Sequence, residues 1–390
     1  MKDILIIDAL RTPMGRFRGA LSTVRGDHLG ATVLQGLLAR NGLKPDVVED
    51  VVFGCVTQIG EQSANVARTA LLSAGWPEAI PGMTVDRKCG SSEAAVHVAA
   101  SEIAAGIHDV VIAGGVESMS RVPMGSNRQI HGEAFGWKVL ERFEMTSQGE
   151  AAERLADIWK FSREDLDAYA MESHRRAAEA ADAGAFQDQI VPVDVPAWQE
   201  KDAEGTAGYV ADDETIRRGT TLEKLATLKT SFRPDGRVTA GNASQISDGA
   251  AALLIMSREA ADRHMVKARA RVVAMTTVGS DPTLMLTGPL AATRKVLDKA
   301  GLTLSDIDLF EVNEAFAPVP LMWMEEFGVS HDRLNVNGGA IALGHPLGAS
   351  GARLMTTMLN ELERRGGRYG LQTMCCAGGL GTATIIERVN

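Results

Sequence analysis

The chain has 390 residues, more than a single common domain, and its 45 % hydrophobic residues suffice for a large core. A formal net charge of −10, with no basic tail and no Lys/Arg cluster beyond short pairs, argues against nucleic acid as a partner. No apolar run approaches the ~18 residues of a membrane span, and MKDILIIDALRT carries too short an apolar run for a signal peptide, so a cytoplasmic protein with no membrane partner is expected.

The first segment alternates strand and helix. Ile4–Ala9 is predicted as a strand and residues 28–40 as a helix ending at Asn41-Gly42. A strand over Val51–Val56 and a helix over Ala64–Ala74 follow. Ile80–Asp86 reads as a turn and a short strand. It leads into Cys89 and a helix over residues 90–105, apolar nearly all round and stopped by Gly106. Asp109–Gly115 is a buried strand ending in glycines. Such alternation implies a mainly parallel or mixed sheet covered by helices.

Residues 119–245 are more polar and carry few clear strands. The stretch from Phe161 reads as a helix capped by Ser162, within a long, partly helical insertion that covers something. After residue 250 the first pattern returns. Leu290–Lys299 matches the helix over 28–40, and Ile307–Val312 matches Val51–Val56. A helix over Gly348–Arg365 matches that after Cys89, and Leu371–Cys376 with Ala377-Gly-Gly matches Asp109–Gly115. The ordered set implies two similar α/β halves, with a site where the ends of their central helices meet. The expected division is 1–118 for the first half, 119–245 for the insertion, 246–268 as a return to the first half, and 269–390 for the second half.

Four stretches can carry chemistry. Cys89 stands at a strand-to-helix turn, where unpaired amides and the positive helix end favour a thiolate nucleophile. His345 lies in a Gly-rich loop, Gly344-His-Pro-Leu-Gly-Ala-Ser-Gly351, and can serve as a general base. Cys375, followed by Cys376, ends a strand before a glycine turn and can move a second proton. Asn313, in Glu311-Val-Asn-Glu-Ala-Phe316, can orient a water or cap a helix. The cysteines, Cys55 included, have no metal-like spacing, so neither a metal nor a disulfide framework is expected.

Together these stretches resemble the thiolase family over essentially the whole chain. The opening Ala9-Leu-Arg-Thr-Pro-Met-Gly-Arg-Phe, then Gly114-Gly-Val-Glu-Ser-Met-Ser120, then Thr239-Ala-Gly-Asn-Ala-Ser-Gln245 precede the three later stretches in family order. The resemblance implies duplicated α/β halves in an α-β-α-β-α layered core with a long inserted loop domain. It implies Cys89 as the acylated nucleophile, His345 as its base and Cys375 as acid and base at the α-carbon. Asn313 would hold a water that forms one oxyanion hole with His345, and the backbone N–H groups of Cys89 and Ala377 would form the other. Arg217 and Ser244 would contact coenzyme A, and Met285 and Phe316 would line the acyl pocket. Coenzyme A and its thioesters would be substrates, with no permanently bound cofactor, in a homodimer or homotetramer. A condensing ketosynthase lacks the C-terminal Cys, so Cys375 speaks against that relative.

Four departures stand out. Glu93 follows Cys89 by one turn, where it could raise the thiol pKa or pair across a subunit contact. Ala377 replaces a usual Gly and requires a negative φ. Phe143-Glu-Met-Thr146 replaces the His-Met-Gly stretch of acetoacetyl-forming members, and Leu286 replaces a Gly. The last two point to 3-ketoacyl-CoAs longer or bulkier than acetoacetyl-CoA. An acetoacetyl-specific enzyme and a non-catalytic acyl-CoA-binding protein on the same fold are the alternatives.

Overall fold

The computed structural model describes residues 3–128, 130–198 and 208–389. Nine strands follow one another through a single mixed sheet. The first half contributes Met83–Val85, Asp50–Gly54, Val110–Ser118, Ser247–Ser257 and Ile4–Arg11, in that spatial order. The second contributes Ala270–Gly279, Leu380–Arg388, Tyr369–Cys376 and Leu309–Val312. Asp50–Gly54 runs parallel to Val110–Ser118, which is followed by two antiparallel neighbours. Leu309–Val312 runs parallel to Tyr369–Cys376, again followed by two antiparallel neighbours. The pairing pattern is thus duplicated. Among the described residues, the half-sheets pair through Leu5 opposite Arg271 and Ile6 opposite Ala270.

Two helices lie between the half-sheets, Ser91–Ala105 and Ser350–Arg365. Ala95, Val96 and Ile103 of the first share a buried cluster with Ala352, Met355 and Leu359 of the second. The cluster also takes side chains from both half-sheets, among them Leu253 and Ile386. The first is apolar nearly all round and so needs cover on both sides, and the second is buried along its first three turns, which places both innermost. Each ends on a left-handed glycine, Gly106 (φ 73°) and Gly366 (φ 69°). Helices Gly26–Arg40 and Val66–Ser73 cover the outer face of the first half-sheet. Gly288–Ala300 and Pro318–Phe327 cover that of the second. The layers are therefore helix, sheet, helix, sheet, helix.

Strand and helix ends differ from the sequence reading by small, explicable amounts. The strand read as Val51–Val56 stops at Gly54. Beyond it the N–H groups of Val56 and Thr57 donate to the Glu117 carboxylate, each at 2.9 Å, instead of to a neighbouring strand. The helix after Cys89 starts at Ser91, with Gly90 as its cap. The insertion leaves at Ser118 and returns at Asp248, which sit opposite each other in antiparallel register. Within it, Ser162 and Asp165 form a reciprocal capping box that starts the helix Arg163–Asp182. Among the described residues no helix is long and apolar enough to cross a membrane.

Candidate active site

Lys88 adopts a left-handed backbone (φ 51°), unfavourable for a residue with a side chain. Local hydrogen bonds hold that turn. The Lys88 N–H donates to Asp86 Oδ1 at 2.7 Å, and Ser91 Oγ donates to the Lys88 carbonyl at 2.6 Å. The turn sets Cys89 just ahead of the inner helix. Glycine at position 54 lets that helix close in, because a Cβ there would lie 2.5 Å from the Ser91 carbonyl carbon.

Cys89 is 3 % exposed and borders a cavity of about 360 Å³. Met124, Phe135, Gln148 and Phe232 of the insertion form part of the wall. Met285, Phe316, Leu347 and Ala377 of the second half and Val56 of the first add to the apolar lining. Gln148 Nε2 approaches Cys89 Sγ at 3.9 Å. Burial pushes the Cys89 thiol up to about 11, against the pull of the backbone N–H groups of Ala377 and Cys89 itself and the Gln148 amide. Desolvation thus works against the thiolate that the helix end and the amides favour. The same two amides are those assigned above to an oxyanion hole. Ala377 is not among the residues with positive φ; the left-handed positions of its turn are Gly378 (87°) and Gly379 (77°).

His345 is buried between Gly344 (φ 85°) and Pro346. Its Nδ1 lies 2.6 Å from Ser350 Oγ, and its Nε2 lies 3.4 Å from Asn313 Nδ2. Burial first, and the charge of Arg353 second, lower its pKa to about 3. Asn313 follows the strand Leu309–Val312, and its Oδ1 is buried without a partner. Cys375 and Cys376 are both buried, and alternation along the strand turns them to opposite faces. Cys375 shares an apolar cluster with Met285 and Phe316, and Cys376 shares one with Cys89 and Leu347. Burial raises both thiols, and the nearby Cys89 sulfur adds to each. All four cysteines are free.

Arg217 and Ser244 do not line this cavity. Ser244 N–H donates to the Ala315 carbonyl at 3.0 Å, and the exposed Arg217 reaches Gln245 Oε1 at 3.3 Å. Gln245 in turn accepts the His345 N–H at 3.0 Å through its carbonyl, so both residues flank the His345 loop.

Three departures are relocated by the structure. Glu93 is fully buried inside the chain, where Thr382 and Thr384 hydroxyls donate to it at 2.5 and 2.6 Å. It does not reach a subunit surface, and its charge raises the Cys376 thiol. Glu144 points to solvent and pairs with Arg154 at 2.6 Å, and Leu286 is buried in the outer core. Neither borders the cavity; of the altered stretch only Thr146 does.

Sequence reasoning missed Gln148, which stands one residue after the Ser147 helix cap, and Ser350, five residues after His345. It also passed over Glu117, whose carboxylate accepts the N–H groups of Val56 and Gly348 at 2.9 Å each and so ties the two halves beneath the site.

Comparison with known proteins bears on this geometry. The thiolase N-terminal domain model matches residues 4–259, and the thiolase C-terminal domain model matches residues 266–388. A steroid 3-ketoacyl-CoA thiolase of Mycobacterium tuberculosis is 46 % identical, over 100 % of this chain and 95 % of the relative. A beta-ketoadipyl-CoA thiolase of Pseudomonas putida is 47 % identical, with both chains covered at 100 %. The crystal structure of the Bacillus anthracis acetyl-CoA acetyltransferase superposes with a TM-score of 0.90 at 39 % identity, covering 100 % of this chain and 99 % of that one. With its duplicated halves, its buried Cys89 and matches that run from residue 4 to residue 388, the chain belongs to the thiolase family of acyltransferases.

Proposed function

We propose that this thiolase cleaves 3-ketoacyl-CoAs whose acyl part is longer or bulkier than acetoacetyl, with coenzyme A as the second substrate and no resident cofactor. The observation that carries the reading is the cavity beside Cys89, walled by Phe232, Met285, Phe316 and Leu347. The names of relatives that act on steroid and beta-ketoadipyl thioesters support it. Each methylene removed from water contributes about 0.8 kcal/mol, so four extra carbons favour the longer substrate by roughly two decades.

In this reading Cys89 gives its proton to His345 Nε2 and attacks the 3-keto carbon. The oxyanion gathers where preorganised N–H donors stabilise it. The C2–C3 bond breaks, the acetyl-CoA carbanion takes a proton from Cys375, and the acyl group stays on Cys89. The thiol of coenzyme A then passes its proton to Cys375 and attacks the acyl-enzyme. Cys89 leaves as thiolate and recovers the proton from His345. Because both partners start neutral, proton transfer accompanies sulfur attack instead of preceding it. Asn313 is read as the water-holding group, Arg217 and Ser244 as coenzyme A contacts, and Met285 and Phe316 as acyl contacts.

The chain is further read as a cytoplasmic homodimer or homotetramer, to be checked by light scattering. Support comes from its buried free thiols, the open edge of strand Met83–Val85 and exposed apolar side chains such as Trp137 and Leu140. The deciding experiment for function is a thiolysis panel. kcat/KM is expected to rise from acetoacetyl-CoA to a 3-keto medium-chain CoA, and a marked preference for the four-carbon substrate would overturn the reading.

A further inference from the structure

The hydroxyl of Ser350 has one hydrogen and two close neighbours. Its Oγ lies 2.9 Å from the Pro346 carbonyl oxygen and 2.6 Å from His345 Nδ1. A carbonyl can only accept. Two oxygens at that separation with no hydrogen between them would repel, so the hydroxyl hydrogen goes to Pro346. Oγ is then left as an acceptor, and the imidazole must supply the hydrogen of the shorter contact. On the other side of the ring, Asn313 Nδ2 is a donor and meets Nε2 at 3.4 Å. Both flanks therefore call for a hydrogen on Nδ1 and a lone pair on Nε2. All three side chains are buried, so bulk water does not scramble the arrangement.

We propose that Ser350 is a positioning residue that fixes His345 as the Nδ1–H tautomer, so that Nε2 is always the nitrogen free to take a proton. The proposal rests on the reading of His345 as the base of Cys89. Ser350 accepts from Nδ1–H equally well when the ring is neutral and when Nε2 has gained the thiol proton. No hydroxyl rotation is needed as the proton comes and goes. Ser350 starts the second inner helix, so the ring orientation is tied to a helix whose first three turns are buried. Arg353, one turn further on, is also fully buried; its charge opposes imidazolium and returns the ring to the neutral form.

The tautomer is read directly in protein labelled with 15N-histidine, with the His345 signals assigned by their loss in His345→Asn. Nδ1 is expected as the protonated, pyrrole-type nitrogen and Nε2 as the pyridine-type one; the reverse pattern would overturn the proposal whatever the variants do. Kinetically, Ser350→Ala should slow single-turnover acylation of Cys89 at least roughly tenfold with little change in KM. Ser350→Thr, which keeps the hydroxyl, should restore most of the rate. Wild-type acylation by Ser350→Ala would also overturn it. Failure of the underlying reading is separable: it would appear as undiminished acylation in His345→Asn, with the wild-type tautomer still legible.

Discussion

A Cβ on Gly115 would lie 2.0 Å from the carbonyl oxygen of Gly348. Gly115 lies within the strand Val110–Ser118 of the first half, and Gly348 belongs to the loop that carries His345. The same loop is pinned from below, where Gly348 N–H donates to Glu117. Gly115→Ala must therefore push the His345 loop away from Cys89. A misplacement near 1 Å costs about a hundredfold in rate, and overpacking costs about 1–3 kcal/mol. Both are checked on one variant, by steady-state kinetics and by denaturant unfolding.

Cys89 should be a slow nucleophile toward small alkylating agents at neutral pH. Its thiol is pushed up to about 11, so the thiolate fraction grows about tenfold per pH unit well below that value. The rate of iodoacetamide modification at Cys89, followed by intact mass, should climb from pH 6 to pH 9 without levelling. A plateau with a midpoint below pH 7 would mean that a thiolate–imidazolium pair exists at rest.

Cys375→Ala and Cys376→Ala should separate cleanly. Acylation of Cys89 from an ordinary acyl-CoA needs no proton at the α-carbon and should survive in both. Claisen condensation should fall by orders of magnitude in Cys375→Ala alone. Cys376 packs against Gly90, where a Cβ would lie 2.7 Å from its sulfur, and its contacts are the Met374 carbonyl at 3.9 Å and the Gly90 backbone, not the cavity lining. The reverse outcome would make Cys376 the second acid–base group.

Glu93 should make stability depend on pH. Burial raises its carboxyl from 4.5 to about 7. The folded state therefore holds a proton that the unfolded chain releases earlier. The associated stability is complete below about pH 4.5 and is lost as pH rises through about 7, with a slope of at most about 1.4 kcal/mol per pH unit. Glu93→Gln keeps an uncharged side chain in the same place. The unfolding free energy of wild type relative to Glu93→Gln should thus decline between pH 5 and pH 8, and a constant difference would show that the carboxyl is not titrating there.

The repeated order of strands and helices was legible because each half repeats its own punctuation, with paired glycines at Gly114-Gly115 and again at Gly378-Gly379. Cys89, Met285 and Phe316 reach one cavity, and His345 meets Asn313, because family motifs carry those positions even when they are far apart in sequence. Electrostatics was not legible. A carboxylate one turn from Cys89 reads as its neighbour, yet the helix faces Glu93 toward Thr382 and Thr384, contacts set nearly three hundred residues later. The amide-rich setting of Cys89 read as stabilising a thiolate, but desolvation is a property of everything packed around the sulfur and leaves no local mark. Glu144 likewise could not be assigned a side of the wall until Arg154 was seen to draw it outward.

The insertion departs at Ser118 and returns at Asp248, side by side in one strand pair. Such a segment can be lengthened, shortened or exchanged while the sheet stays closed beneath it, since doubling a loop costs only about 0.6 kcal/mol. It supplies Met124, Phe135, Gln148 and Phe232 to the cavity, whereas Cys89 sits in the turn before the first inner helix, His345 in the loop before the second, and Cys375 on the strand Tyr369–Cys376. The part of the cavity wall that the insertion carries can therefore change while Cys89, His345 and Cys375 stay in place. A segment transplanted between the ends at 118 and 248 should carry its acyl preference to a new host and leave the host's chemistry in place.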